Sequence, residues 1–251
     1  MSAAEDFDLY FAQCPLIAII RGVTPQDAEA TAGAIFAGGI RIIEVPLNSP
    51  QPFDSIQIIA KAFGDRALVG AGTVLNTDDV QRVQAVGGRL IVAPNMNEDV
   101  IRATVDAGMV SSPGVFTPTE AFAAIAAGAH ALKLFPAEAA SPAVVKAQKA
   151  VLPKGIPLIA VGGIRIDNVA EWFGAGTDGF GLGSGLYKPG QDPQLTLERA
   201  QAFVSAVKRG CGRSGSASSV SARSRPTSMS RRSRPTRGWS WRPRRAAPAK
   251  A

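Results

Sequence analysis

Residues 40–74 read IRIIEVPLNSPQPFDSIQIIAKAFGDRALVGAGTV, and this stretch decides the fold. Residues 40–47 form a short β-branched run, apolar on both sides of Glu44 and too brief for a helix. Ser49-Pro50 then gives a helix-start signal, Gly64 a helix end, and residues 67–74 a second β-rich run. The stretch is one strand–helix–strand unit, and the unit recurs in both directions. Further β-rich runs fall at 16–20, 89–94, 109–115, 131–135, 157–164 and 177–182. Helix starts are signalled at Thr24-Pro25, Asn76, Asn97, Thr117-Pro118, Ser141-Pro142 and Asp167, and helix ends at Gly38, Gly87, Gly108, Gly128 and Gly174. A last helix is expected over about 194–208. Eight such units, with continuous rather than alternating apolar strands, predict an α/β protein of the (β/α)8 TIM-barrel type. A doubly wound open sheet is the alternative, but it rarely needs eight equal units.

Composition divides the chain of 251 residues unequally. Residues 210–251 hold eleven of the 27 Lys and Arg and none of the 20 Asp and Glu, so residues 1–209 carry sixteen basic against 20 acidic side chains. The net charge of +7 therefore belongs to the C-terminal segment. That segment is Arg, Ser and Pro-rich without apolar periodicity, which predicts a disordered tail over 210–251. The barrel is expected over 16–209 as a single domain, preceded by a helical lead-in at 1–15. Limited proteolysis is expected to leave a stable core ending near 208–210. Trp239 and Trp241 could stack on nucleic acid beside the tail's arginines, but a dispensable extension is the simpler reading.

Cys14 and Cys211 make no disulfide framework, and the acidic N-terminus lacks the basic-then-apolar pattern of a signal peptide. No apolar run reaches the ~18 residues that span a membrane, so a cytoplasmic setting is expected. His130 is the single histidine, which leaves little for a His-based metal site or a Ser-His-Asp triad.

A barrel places catalytic groups at the C-terminal strand ends. Those ends read Arg21, Glu44, Gly72-Thr73, Pro94-Asn95, Pro113-Gly114, Lys133, Gly162-Gly163 and Gly183-Ser184. Lys133 lies within Ala131-Leu132-Lys133-Leu134-Phe135-Pro136. A buried ammonium escapes its desolvation cost by losing its proton, and the neutral amine is a nucleophile for a ketone or aldehyde. A strand-end lysine that snorkels to solvent is the plain alternative. Glu44 reads as a general acid/base with a raised pKa, or as an ion-pair partner of Arg21 or Lys133. The glycine pairs after the seventh and eighth strands would let backbone N–H groups approach a phosphate, with a helix N-terminus behind them. Arg21 and Thr73 could hold a carboxylate; strand-end solvation and helix capping are their alternatives. His130 precedes the sixth strand, on the opposite rim, and reads as structural.

In Glu44, Lys133 and the Gly162-Gly163 pair, and in the stretches IIEVPLNSP, LVGAGTVL, ALKLFPAE and AVGGI, the chain resembles the aldolases of 2-keto-3-deoxy-6-phospho sugar acids. The resemblance covers about 16–208. It implies Schiff-base cleavage of a phospho-keto acid without cofactor or metal, by a homotrimer with no membrane partner. Lys133 would be the nucleophile and Glu44 the proton shuttle. Arg21 and Thr73 would contact the carboxylate end, and Gly162, Gly163, Gly183 and Ser184 the phosphate. Gluconate-type members of the family usually carry arginine where this chain has Asn48, and threonine where it has Val161, beside the substrate. Both departures resemble the galactonate branch and shift weight onto Arg21. The gluconate epimer remains the alternative substrate. A phosphate-binding isomerase using Glu44 as base, or a non-enzymatic protein using its tail, are readings from other classes.

Overall fold

The computed structural model describes residues 1–216, with side chains through residue 210. Strands β1 (Leu16–Ile19), β2 (Ile42–Pro46), β3 (Leu68–Gly72), β4 (Leu90–Val92), β5 (Val110–Ser112), β6 (Gly114–Val115), β7 (Leu132–Leu134), β8 (Leu158–Val161) and β9 (Gly179–Leu182) form one parallel sheet. Its order, β5-β4-β3-β2-β1-β9-β8-β7-β6, ends on two consecutive pieces of chain. These pieces are the halves of the fifth barrel strand, so the sheet closes on itself through Pro113. Proline has no N–H to give the ladder, which interrupts the strand there. Pro113 O still accepts from Lys133 N at 2.9 Å, and Ser112 O accepts from Ala93 N at 3.3 Å, one on each side of the seam. The eight-strand barrel read from the sequence is thus the fold, with its fifth strand split.

Around the barrel run α2 (Pro25–Ala37), α3 (Pro52–Phe63), α4 (Thr77–Ala85), α5 (Glu98–Asp106), α6 (Pro118–Ala126), α7 (Pro142–Lys149), α8 (Val169–Gly174) and α9 (Pro193–Ser216), preceded in the chain by α1 (Ala3–Gln13). Side chains alternate along each strand. Outward residues such as Leu16, Ile43 and Leu132 join the helices in one buried cluster. Inward residues such as Ile17, Ile42, Leu90 and Ile159 form a second cluster together with Phe7 and Tyr10 of α1. The first helix therefore closes the N-terminal mouth, and an Asp6–Arg89 ion pair of 2.6 Å fastens it to the start of β4.

Most helix signals act as read: Thr24, Asn76, Asn97 and Thr117 each accept a backbone N–H as N-caps. Ser49-Pro50 does not start a helix. Ser49 N closes a turn onto Pro46 O at 2.9 Å and its Oγ is taken by Gly22 N at 2.9 Å, so α3 begins only at Pro52. Asp167 is likewise displaced, because it pairs with Arg165 at 3.0 Å and α8 starts at Val169. The last helix continues past the expected stop near 208 to Ser216. Glycine lowers helix propensity by only ~1 kcal/mol and breaks no hydrogen bond, so Gly210 does not end it. The rest of the expected tail, 217–251, with Trp239 and Trp241, lies outside the described residues. No helix among the described residues is long and apolar enough to cross a membrane.

Candidate active site

Alternation along β2 turns Glu44 inward with Ile42, and alternation along β7 turns Lys133 inward with Ala131. Both side chains are buried, 2% and 6% exposed. Burial pushes the Glu44 carboxyl above the usual carboxylate range, against the pull of the Lys133 and Arg21 cations. Burial also holds the Lys133 amine below the usual lysine range; Glu44 opposes this and Arg21 reinforces it. Glu44 Oε2 has no hydrogen-bond partner among the described residues. Lys133 Nζ lies 4.8 Å from the centroid of the Phe135 ring. The lysine therefore does not snorkel, and burial pushes the two groups in opposite directions, the amine toward its neutral nucleophilic form and the carboxyl toward its protonated form.

The remaining space for Glu44 comes from Gly72, opposite Pro46 in the β2–β3 ladder. A Cβ there would stand 1.3 Å from Glu44 Oε2. Sequence reading placed Gly72 among the strand ends without this role, since nothing local shows which neighbour needs the room. The next residue, Thr73, holds a left-handed backbone at φ 58°. That conformation strains a β-branched residue and points to a functional constraint.

Arg21 follows β1, and its guanidinium reaches the C-terminal mouth, where its Nη1 donates to Asn48 Oδ1. Gly162 and Gly163 follow β8 with φ of 109° and 66°, a backbone that favours glycine. Asn168 Nδ2 donates to Gly163 O at 2.9 Å and Asn168 Oδ1 accepts from Arg165 N at 2.9 Å, which sets the loop. The α8 helix is short and begins only at Val169, so the expected helix N-terminus does not directly follow the glycines. Glu138, unremarked in the sequence, lies against the same loop: its Oε2 would be 3.2–3.3 Å from a Cβ on either glycine. After β9, Gly183 O accepts from both Leu186 N and Tyr187 N (2.9 and 3.0 Å), leaving Ser184 exposed at the tip of the turn. Val161 is buried and inward beside Gly181, its Cγ2 2.7 Å from where a Cβ on that glycine would be. The structure thus brings the candidate pocket residues Arg21, Glu44, Thr73, Lys133, Val161, Gly162, Gly163, Gly183 and Ser184 to the C-terminal ends of the strands. His130 stays at the other end, where its Nδ1 accepts from Ser111 N at 3.1 Å.

Comparison with known proteins agrees with this geometry. The family described as Aldolase: KDPG and KHG aldolase matches residues 8–192. The chain is 50% identical over 194 residues to 2-dehydro-3-deoxy-6-phosphogalactonate aldolase of Escherichia coli (strain K12), covering 77% of this chain and 95% of that one. It is 34% identical over 165 residues to 2-dehydro-3-deoxy-phosphogluconate aldolase of Pseudoalteromonas atlantica, covering 64% and 75%. A solved structure described as native KDPGal superposes with a TM-score of 0.78 at 49% identity, over 79% of this chain and 96% of that one. By the family match and by these identities, the chain belongs to the KDPG and KHG aldolase family.

Proposed function

We propose that this chain is a class I aldolase that cleaves 2-dehydro-3-deoxy-6-phosphogalactonate to pyruvate and D-glyceraldehyde 3-phosphate through a Schiff base on Lys133. The observation that carries the proposal is that the two ionisable side chains Lys133 and Glu44 are both buried on inward faces of β7 and β2, where burial pushes the amine down and the carboxyl up. The higher identity to the galactonate enzyme than to the gluconate enzyme supports the choice of epimer.

Neutral Lys133 adds through Nζ to the C2 ketone, giving a carbinolamine. Glu44 donates a proton to the departing hydroxyl, which leaves as water, and the C2=N iminium forms. The C3–C4 bond then breaks: its electron pair moves into the iminium to give the enamine. Glu44, now ionised, takes the C4 hydroxyl proton as the aldehyde carbonyl forms. Protonation of the enamine at C3 and addition of water release pyruvate and return the neutral amine. Arg21 and Thr73 bind the carboxylate at the β1 and β3 ends. The open N–H groups of Gly162, Gly163, Gly183 and Ser184 bind the phosphate, and Val161 offers the C4 hydroxyl no hydrogen-bond partner. We take the enzyme as a cytoplasmic homotrimer on the strength of the family resemblance, which sedimentation would check.

Borohydride reduction in the presence of pyruvate, followed by peptide mass analysis, tests the chemistry. A reduced pyruvyl adduct on the Lys133 peptide is expected; its absence, or its presence on another lysine, overturns the assignment. Cleavage rates on the galactonate and gluconate epimers test the substrate, and equal or inverted rates would reject the preference.

A further inference from the structure

We propose that Asn48 is a positioning residue that aims the Arg21 guanidinium at the carboxylate of the bound keto acid. This rests on reading the site as that of a pyruvate-forming aldolase. Arg21, Asn48 and Thr73 follow three strands that neighbour one another in the ladder, where Ile19 pairs with Glu44 and Pro46 with Gly72. The ladder runs on to the residues just before them: Ile20 N donates to Glu44 O at 3.1 Å and Leu47 N to Gly72 O at 2.8 Å. A side-chain bond, Gly22 N to Ser49 Oγ at 2.9 Å, clamps the β1 loop to the β2 turn on the far side of Arg21 and Asn48. The backbone carrying Arg21 is therefore fixed, while its long side chain reaches the exposed rim and would otherwise sample many rotamers.

The Arg21 Nη1 to Asn48 Oδ1 hydrogen bond removes that freedom. The acceptor is neutral, and that is the point. Among the described residues no carboxylate forms an ion pair with Arg21. Its charge is therefore not tied up in an ion pair, and it acts on both Glu44 and Lys133. Guanidinium has five N–H donors, so one spent on Asn48 leaves a pair for a bidentate carboxylate. An aspartate at this place would hold the same geometry but cancel the charge the substrate needs.

Deuterium exchange into the methyl group of pyruvate in D2O requires only the Schiff base and its enamine, and so reads this end of the site alone. Wild type, Asn48→Ala and Asn48→Asp are compared on pyruvate and on pyruvamide, which lacks the carboxylate. For Asn48→Ala the pyruvate KM should rise about three- to tenfold, the size of one lost orienting hydrogen bond, with kcat changed less than about twofold. The pyruvamide KM should not move. Asn48→Asp should raise the pyruvate KM as well, and should leave or lower that of pyruvamide. In an Arg21→Ala background, Asn48→Ala should add nothing, because its effect passes through the arginine. Equal losses on both ketones, or additive losses in the double variant, overturn the proposal. Absence of exchange by the wild type would instead reject the aldolase reading itself and take this inference with it.

Discussion

Gly72→Ala tests whether the position of the Glu44 carboxylate, rather than its mere presence, sets the rate. The three atoms nearest a Cβ at residue 72 all belong to the Glu44 carboxyl group, at 1.3, 2.4 and 3.0 Å. No backbone or core side chain comes as near, and Gly72 is not among the glycines with positive φ, so alanine strains no dihedral. Real Cβ contacts essentially never fall under 3.0 Å, so Oε2 must withdraw by at least about 1.7 Å. A misplacement of ~1 Å in a reacting group costs about 10²-fold. We therefore expect kcat to drop at least ~100-fold, close to 2.7 kcal/mol of barrier. Pyruvate release coupled to lactate dehydrogenase gives the rate, and thermal unfolding checks the fold. Prolonged borohydride trapping with pyruvate should still label Lys133, because the amine is untouched. A kcat within about threefold of wild type, with unchanged melting, would refute the reasoning.

Replacing both buried ionisable groups, Lys133→Met with Glu44→Leu, should abolish turnover and stabilise the fold by about 1–4 kcal/mol at pH 7. Burial lowers the folded Lys133 pKa from 10.5 and raises that of Glu44 from 4.5, so between these values the unfolded chain carries both charges more readily. The Glu44 share of the gain should vanish as pH falls below 4.5 and the Lys133 share as it rises above 10.5; urea unfolding at pH 7 that shows lower stability contradicts this. Thr73→Asn keeps a polar group in a residue that tolerates the left-handed region, and should stabilise by about 0.5–1 kcal/mol while raising KM. A lower melting temperature would show that Thr73 is not strained. Val161→Thr should shift relative kcat/KM toward the gluconate epimer by about tenfold, because it adds one hydroxyl to the chamber wall. An unchanged ratio would remove residue 161 from the specificity account.

What the sequence determined by itself is what depends on near neighbours along the chain. Strand and helix alternation is such a property, since short β-branched runs and capped helices are local, and it sufficed for the barrel. The positions of Glu44 and Lys133 followed too, because period-two alternation and burial are written in the flanking residues. What only the tertiary structure decided depends on atoms far apart in sequence. Ser49 looked like a helix start but its hydroxyl serves Gly22, a residue on another strand end. Gly72 looked like any strand-end glycine, yet its missing side chain is the room in which the Glu44 carboxylate lies. Arg21 and Asn48 are 27 residues apart, and only the β1–β2 register makes one the anchor of the other. Local sequence sets backbone preference and burial pattern, whereas clearance and hydrogen-bond partnership exist only once closure of the barrel brings its strand ends to one mouth.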